Sequence, residues 1–290
     1  MYVCKTLKNI FETEIKLITI LNKEYKSSFT FKVWSQSEEM FLQTVLYLLL
    51  TVFFGPILVA SEGIESYENY YNEIHVDDEQ AEAKTRNALT SPLQRWPGNK
   101  IYYRISGDYN EQEVANVRTA MSSFGEQTCV QFEEIEGSPP SGRRYVSFKK
   151  SPNMCGTRVG YQPLSFGPHE VVLNEKCLTM PAVIQHETLH LLGLFHEQSR
   201  PDRDQYVQID YDNIPRKYWS QFMAMDQTTT FDVPYDYESV MHYSKTAFAK
   251  DPSKPTIRAL IEGKAVEREM GQVRGPSEGD WTKIRLMYKC

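Results

Sequence analysis

Apolar and polar positions divide the 290-residue chain into three textures. Residues 41–60, FLQTVLYLLLTVFFGPILVA, form an almost uncharged apolar run of membrane-spanning length. Residues 61–86 are polar and acidic, with only weak periodicity, and end at Lys84-Thr85-Arg86. From Arg95-Trp96-Pro97 onward the pattern is that of a folded domain. Ile101 to Ile105 reads as a strand closed by the turn signal Ser106-Gly107-Asp108. Val114, Val117, Ala120, Met121 and Phe124 recur at helical spacing within 111–124. Val130 to Phe132 and Tyr145 to Phe148 alternate as half-buried strands do, and Val171 to Leu173 is a third short apolar run. Pro181 to Leu192 reads as a helix, with Pro181 tolerated in its first turn and Gly193 ending it. Beyond Arg200 the pattern is irregular, rich in Asp, Tyr and Pro, with helical hints only near the C-terminus.

The apolar run has two readings. In one, Met40 is the start and 40–60 is a signal peptide cut near Ala60 or Ser61, in keeping with Gly55, Pro56 and the small residues at its end. In the other it is a signal anchor, preceded by Lys5, Lys8, Lys16, Lys23, Lys26 and Lys32 as the positive-inside rule requires. The first predicts a secreted protein and the second a type II membrane-anchored one, so a membrane partner is expected only if 41–60 stays uncut. Both place residues after 60 outside the cytosol. Residues 61–86 read as a propeptide processed after Arg86 by an activating protease, with Asn87 as the new first residue, against the plainer reading of a surface linker.

Composition narrows the choice. Hydrophobic residues make up 41% and charged residues 24%, enough to build a core. The net charge of −6 and the lack of a long basic run give no reason to expect nucleic acid. Of five cysteines, Cys129, Cys155, Cys177 and Cys290 follow the apolar run, an even number suited to two bridges in an oxidising compartment. Three pairings are open to them, and Cys4 stands apart.

The chemistry is concentrated in His186-Glu187-Thr188-Leu189-His190-Leu191-Leu192-Gly193-Leu194-Phe195-His196. His186 and His190, four apart on one helix, stand over the same face and can share a metal ion. Gly193 tolerates the positive φ needed to leave the helix sharply and return His196 as a third ligand. Three nitrogens leave a fourth zinc position open, which is the catalytic rather than the structural arrangement. Glu187, turned aside from both ligands, can accept a proton from a water at the metal. A lone histidine pair on an apolar helix is usually core, but here five specified positions agree and half of the six histidines fall in one short run. Downstream, Ser239-Val240-Met241-His242-Tyr243 supplies the methionine turn that accompanies the extended histidine motif. Met241 would floor the metal site and Tyr243 could reach the metal or the oxyanion.

These residues resemble the astacin family of metzincin metallopeptidases. The resemblance extends to Glu197-Gln198-Ser199-Arg200-Pro201-Asp202-Arg203-Asp204, to Arg95-Trp96-Pro97, to Tyr206 through Ile214, to Met270-Gly271-Gln272 and to Ser277 through Cys290, covering about residues 87–290. It implies an α+β, two-lobed catalytic domain with a twisted N-terminal sheet, two long helices including 181–192, and a largely irregular C-terminal lobe. It implies one zinc on His186, His190 and His196, Glu187 as general base, and Tyr243 as the tyrosine that moves from the metal to the oxyanion. Glu197 matches the carboxylate that receives the new N-terminal ammonium. The bridges implied are Cys129–Cys290 and Cys155–Cys177. An extended peptide or protein substrate is expected along an edge strand, cut by a monomeric enzyme.

The resemblance is incomplete in the propeptide, where Glu62-Gly63-Ile64-Glu65 lacks the aspartate that relatives use to hold the zinc. A binding protein on the same zinc fold would have no need of a base, and Glu187 argues against it. A hydrolase of small amides fits the precursor layout less well than a peptidase. Arg104, Arg258 and Arg274 are candidates for favouring acidic side chains of substrate, against the plainer reading of a solvated surface.

Overall fold

A computed structural model describes residues 88–290, apart from 138, 141–142 and 226–228. The apolar segment 41–60, the propeptide 61–86 and the expected cut between Arg86 and Asn87 lie outside the described residues. Among the described residues no helix is long and apolar enough to cross a membrane.

Strand β1, Lys100–Ile105, leads into helix α1, Glu111–Gln127. The start of α1 is fixed by a reciprocal capping box: the Asn110 side chain accepts the Glu113 N–H at 3.0 Å and the Glu113 carboxylate accepts the Asn110 N–H at 2.8 Å. Its buried positions Val117, Ala120, Met121 and Phe124 form the expected stripe. β2 (Gln131–Glu134), β3 (Val146–Lys150) and β5 (His169–Leu173) join β1 in a parallel array, and the two-residue β4 (Gly156–Thr157) runs antiparallel at the edge. The order is β2-β1-β3-β5-β4. A parallel pair needs a crossover, and α1 supplies it between β1 and β2.

A short helix, α2 (Glu175–Leu178), precedes α3, Pro181–Leu192. Ten of the twelve residues of α3 are buried, so it is an interior helix rather than an amphipathic surface one. Pro181 sits in its first turn, where a missing N–H costs nothing. Gly193 ends it at φ 119°, and a Cβ there would stand 3.1 Å from Leu89 Cδ1 and 3.3 Å from Met287 Sδ. Both the conformation and the close packing call for glycine.

Residues 197–276 run mainly through 3-10 turns and loops, as the sequence predicts. They also contain a second sheet that its pattern does not reveal, β6 (Val207–Ile209), β7 (Ile257–Ile261) and β8 (Lys264–Val266), paired antiparallel in that order. Its outer strands span three residues each, too few to register as an alternation. Helix α4, Glu278–Tyr288, closes the chain and opens with a second capping box, Ser277 with Asp280. Trp281 of α4 meets Phe124 of α1 edge-on at 5.1 Å.

Both implied disulfides are present. Cys129–Cys290 staples the end of α4 beside β2, and Cys155–Cys177 ties the start of β4 to α2.

Candidate active site

The three histidines converge. The His186 and His190 rings lie 4.7 Å apart, His190 and His196 also 4.7 Å, and His186 and His196 5.4 Å. One ligand atom from each lies within 4.8 Å of the others, a cluster able to hold a metal ion. Helical spacing brings the first two together, and the turn at Gly193 returns the third.

The second layer sets their tautomers. His186 Nδ1 lies 2.8 Å from Val240 O, and His190 Nδ1 lies 2.7 Å from Leu194 O. A carbonyl oxygen only accepts, so each Nδ1 carries the proton and each Nε2 keeps its lone pair for a metal. Burial, with His186 beside it, pushes His190 down to about 3, which keeps that imidazole in its neutral, ligating form. Two imidazoles with backbone carbonyls behind them, and a third from His196, suit zinc. Glu187, next on the helix, is buried as well.

The segment Ser239–Met241 is held by three hydrogen bonds, one to Glu197 and two to Asp280. Met241 O accepts the Glu197 N–H at 2.8 Å, which ties the turn to the residue after His196. Ser239 Oγ donates to Asp280 Oδ1 at 2.6 Å and the Val240 N–H to Asp280 Oδ2 at 3.0 Å. Since Val240 O orients His186, Asp280 of α4 acts on the metal site through a single residue, Val240. Tyr243 is fully buried, its ring 4.4 Å from that of His196, its N–H on Gln198 Oε1 and its hydroxyl 3.4 Å from Gln221 Oε1.

Glu197 sits in a closed ionic group. One carboxylate oxygen accepts from Lys283 Nζ, and the other accepts from Arg200 Nη1 at 3.0 Å and the Asp236 N–H at 3.0 Å. Burial alone would raise this carboxyl, but the Lys283 and Arg200 cations hold it below its ordinary range. Arg200 also pairs with Asp202 at 2.8 Å. Lys283, Asp280, Arg200 and Gln198 are support residues that sequence reasoning missed. The one local signal was the Ser277-x-x-Asp280 box, which marks a helix start and says nothing about a partner forty residues away.

The arginines considered for acidic substrates are engaged elsewhere. Arg104 lies over the Tyr145 ring, Arg258 is 3.6 Å from Asp210, and Arg274 is 3.8 Å from Glu238. A cavity of about 860 Å³ lined by Lys150, Asn153, Asn174 and Lys176 contains none of the histidines, so volume alone would point away from the chemistry.

Comparison with known proteins agrees with this geometry. The peptidase family described as Astacin matches residues 88–289. Low choriolytic enzyme of Oryzias latipes is 37% identical over 218 residues, covering 71% of this chain and 75% of that protein. Zinc metalloproteinase nas-13 of Caenorhabditis elegans is 33% identical over 207 residues, and meprin A subunit alpha of Rattus norvegicus 36% over 210. Each of these two covers 71% of this chain, which spans only 43% and 26% of their respective lengths. Among solved structures, high choriolytic enzyme 1, a hatching enzyme zinc-protease from Oryzias latipes, aligns with a TM-score of 0.63 at 31% identity. That alignment covers 70% of this chain and all of the other.

Proposed function

Because the chain belongs to the astacin family of peptidases, and so is a zinc metalloendopeptidase acting on proteins or peptides, we propose that Glu187 is its general base and Tyr243 its oxyanion donor. The observation that carries this reading is the convergent triad of His186 and His190, both buried, and the half-buried His196, with Glu187 next to the first ligand and Tyr243 packed on the third.

His186, His190 and His196 would hold the zinc through their ring nitrogens, the first two with tautomers fixed by Val240 O and Leu194 O. Zinc, when bound, supplies a Lewis acid and brings the pKa of a water to about 7. Glu187 takes the proton from the attacking water as its oxygen adds to the scissile carbonyl, then passes it to the leaving nitrogen as the C–N bond breaks. The Tyr243 hydroxyl donates to the oxygen that gains charge. Met241 packs as the apolar floor. An extended substrate lies along the outer edge of β4, which no strand pairs among the described residues, held by main-chain hydrogen bonds.

The same reading extends to processing. The domain is 87–290, preceded by a propeptide at 61–86, and the protein is exported and monomeric. Two disulfides favour an oxidising compartment. A cut between Arg86 and Asn87 would leave a new ammonium one residue before Ala88, which is fully buried and bridged to Leu194 beside the ligand loop. Glu197 would receive that charge only by sharing a carboxylate already bonded to Lys283 and Arg200.

The test is cleavage of a broad peptide library by purified 87–290 with zinc, with chelator, and as Glu187→Ala. Cleavage that chelator abolishes, with a variant that keeps zinc yet is inactive, supports the assignment. A folded, zinc-loaded protein that cleaves nothing refutes it.

A further inference from the structure

His169 opens β5 and is 2% exposed, its ring 5.7 Å from that of Trp96. Its Nε2 lies 3.0 Å from Thr157 Oγ1 and 3.0 Å from Arg158 O. The Thr157 hydroxyl has a single proton and donates it to Glu170 O at 2.8 Å, so toward His169 it can only accept. The Arg158 carbonyl can only accept as well. Nε2 therefore carries the proton and is shared between the two, and Nδ1 is a bare nitrogen, buried without a partner among the described residues. Burial, with Arg144 beside it, pushes His169 down to about 4, consistent with this neutral tautomer.

The consequence falls on the strip after β4. The Arg158 carbonyl is drawn toward β5, where His169 stands. The peptide bond is trans, so the Val159 N–H points the opposite way, to the side of the strip away from β5, where no strand pairs among the described residues. No acceptor among the described residues takes that N–H. On either side the strip is fastened: Cys155 by its bridge to Cys177, and Gly160 by its N–H to His190 O at 2.9 Å. His190 is a proposed zinc ligand, so the Val159 donor is held next to an anchor on the metal helix.

We propose that His169 is a positioning residue for peptide binding: by locking the Arg158–Val159 peptide plane it presents the Val159 N–H as a fixed donor to the main chain of an extended substrate. The inference rests on the reading that substrate lies along the outer edge of β4. It adds to that reading the group that sets the edge, and it assigns a role to a buried histidine outside the zinc motif.

The experiment uses zinc-loaded protein in a Glu187→Ala background, with a long unstructured peptide as probe. Affinity is measured alongside hydrogen exchange at the Val159 amide. The peptide slows Val159 exchange, His169→Leu weakens binding about tenfold, and His169→Gln, whose side-chain amide can replace the Nε2 donor, binds as the parent does. Val159→Pro, which removes the donor without touching the core, loses affinity like His169→Leu and keeps the test decisive should the leucine variant fail to fold. Equal affinity in all four proteins, or a Val159 amide that exchanges alike with and without peptide, overturns the proposal. Glutamine no better than leucine also overturns it, because the donor would then be irrelevant. Failure of the peptidase reading shows differently: protein with Glu187 intact binds the peptide and does not cut it.

Discussion

Lys283 of the last helix donates to the carboxylate of Glu197, the residue directly after the third histidine, and both side chains are at most 2% exposed. The pair joins two positions 86 residues apart and links the C-terminal helix to the metal loop. Removing one member leaves the other charge buried. Lys283→Met is expected to destabilise the fold by about 3–5 kcal/mol, read from the urea midpoint at constant slope. Arg200 remains on the other oxygen, so Lys283→Met with Glu197→Gln should recover part of the loss. A single variant within about 0.5 kcal/mol of the parent, the range of ordinary surface changes, would show that the pair is not the tie described.

Tyr243→Phe keeps the ring beside His196 and removes only the hydroxyl. If that hydroxyl serves the transition state, kcat falls roughly 10²–10³-fold while KM and zinc content stay near those of the parent. A variant that loses affinity at unchanged kcat would assign Tyr243 to substrate binding instead.

His169 is neutral in the fold and pushed down to about 4 from an ordinary 6.5. Between these values the unfolded chain binds a proton that the folded one does not, so stability rises with pH across the window. The contribution is complete above about 6.5 and disappears as pH falls toward 4, at up to about 1.4 kcal/mol per pH unit. His242, also lowered by burial, acts in the same direction. At fixed zinc, His169→Gln should flatten the fall in melting temperature between pH 7 and pH 4. An unchanged slope would show that His169 is protonated at no cost.

The two disulfides differ in the loops they close, with sequence separations of 161 and 22. On chain entropy alone, losing Cys129–Cys290 costs about 1.8 kcal/mol more than losing Cys155–Cys177. Paired Cys→Ser variants compared by denaturant unfolding measure the difference. The reverse order would mean that the short bridge acts mainly on the folded state, by holding Cys155 at the head of the β4 strip.

Much of the site is local and was legible as sequence. His186, Glu187 and His190 share one helix whose limits follow from Pro181 and Gly193, and the return of His196 follows from the same glycine. The strands β1, β3 and β5 announce themselves because their alternating or continuous apolar positions are the ones the core requires. The second sheet was not legible, since its two outer strands hold three residues each, less than two periods of an alternation.

What supports the site was decided only by the tertiary structure. Asp280 reaches Ser239 and Val240 across forty residues, Lys283 reaches Glu197 across 86, and His169 reaches Arg158 across a sheet edge. Periodicity records which side of an element faces inward, but a buried charge leaves no mark of the opposite charge that will meet it. The sequence by itself determined the zinc chemistry, because the ligands are spaced by one helix and one turn. Their second layer had to wait for the fold, because hydrogen bonds between distant segments are set by where whole elements pack and not by any spacing along the chain.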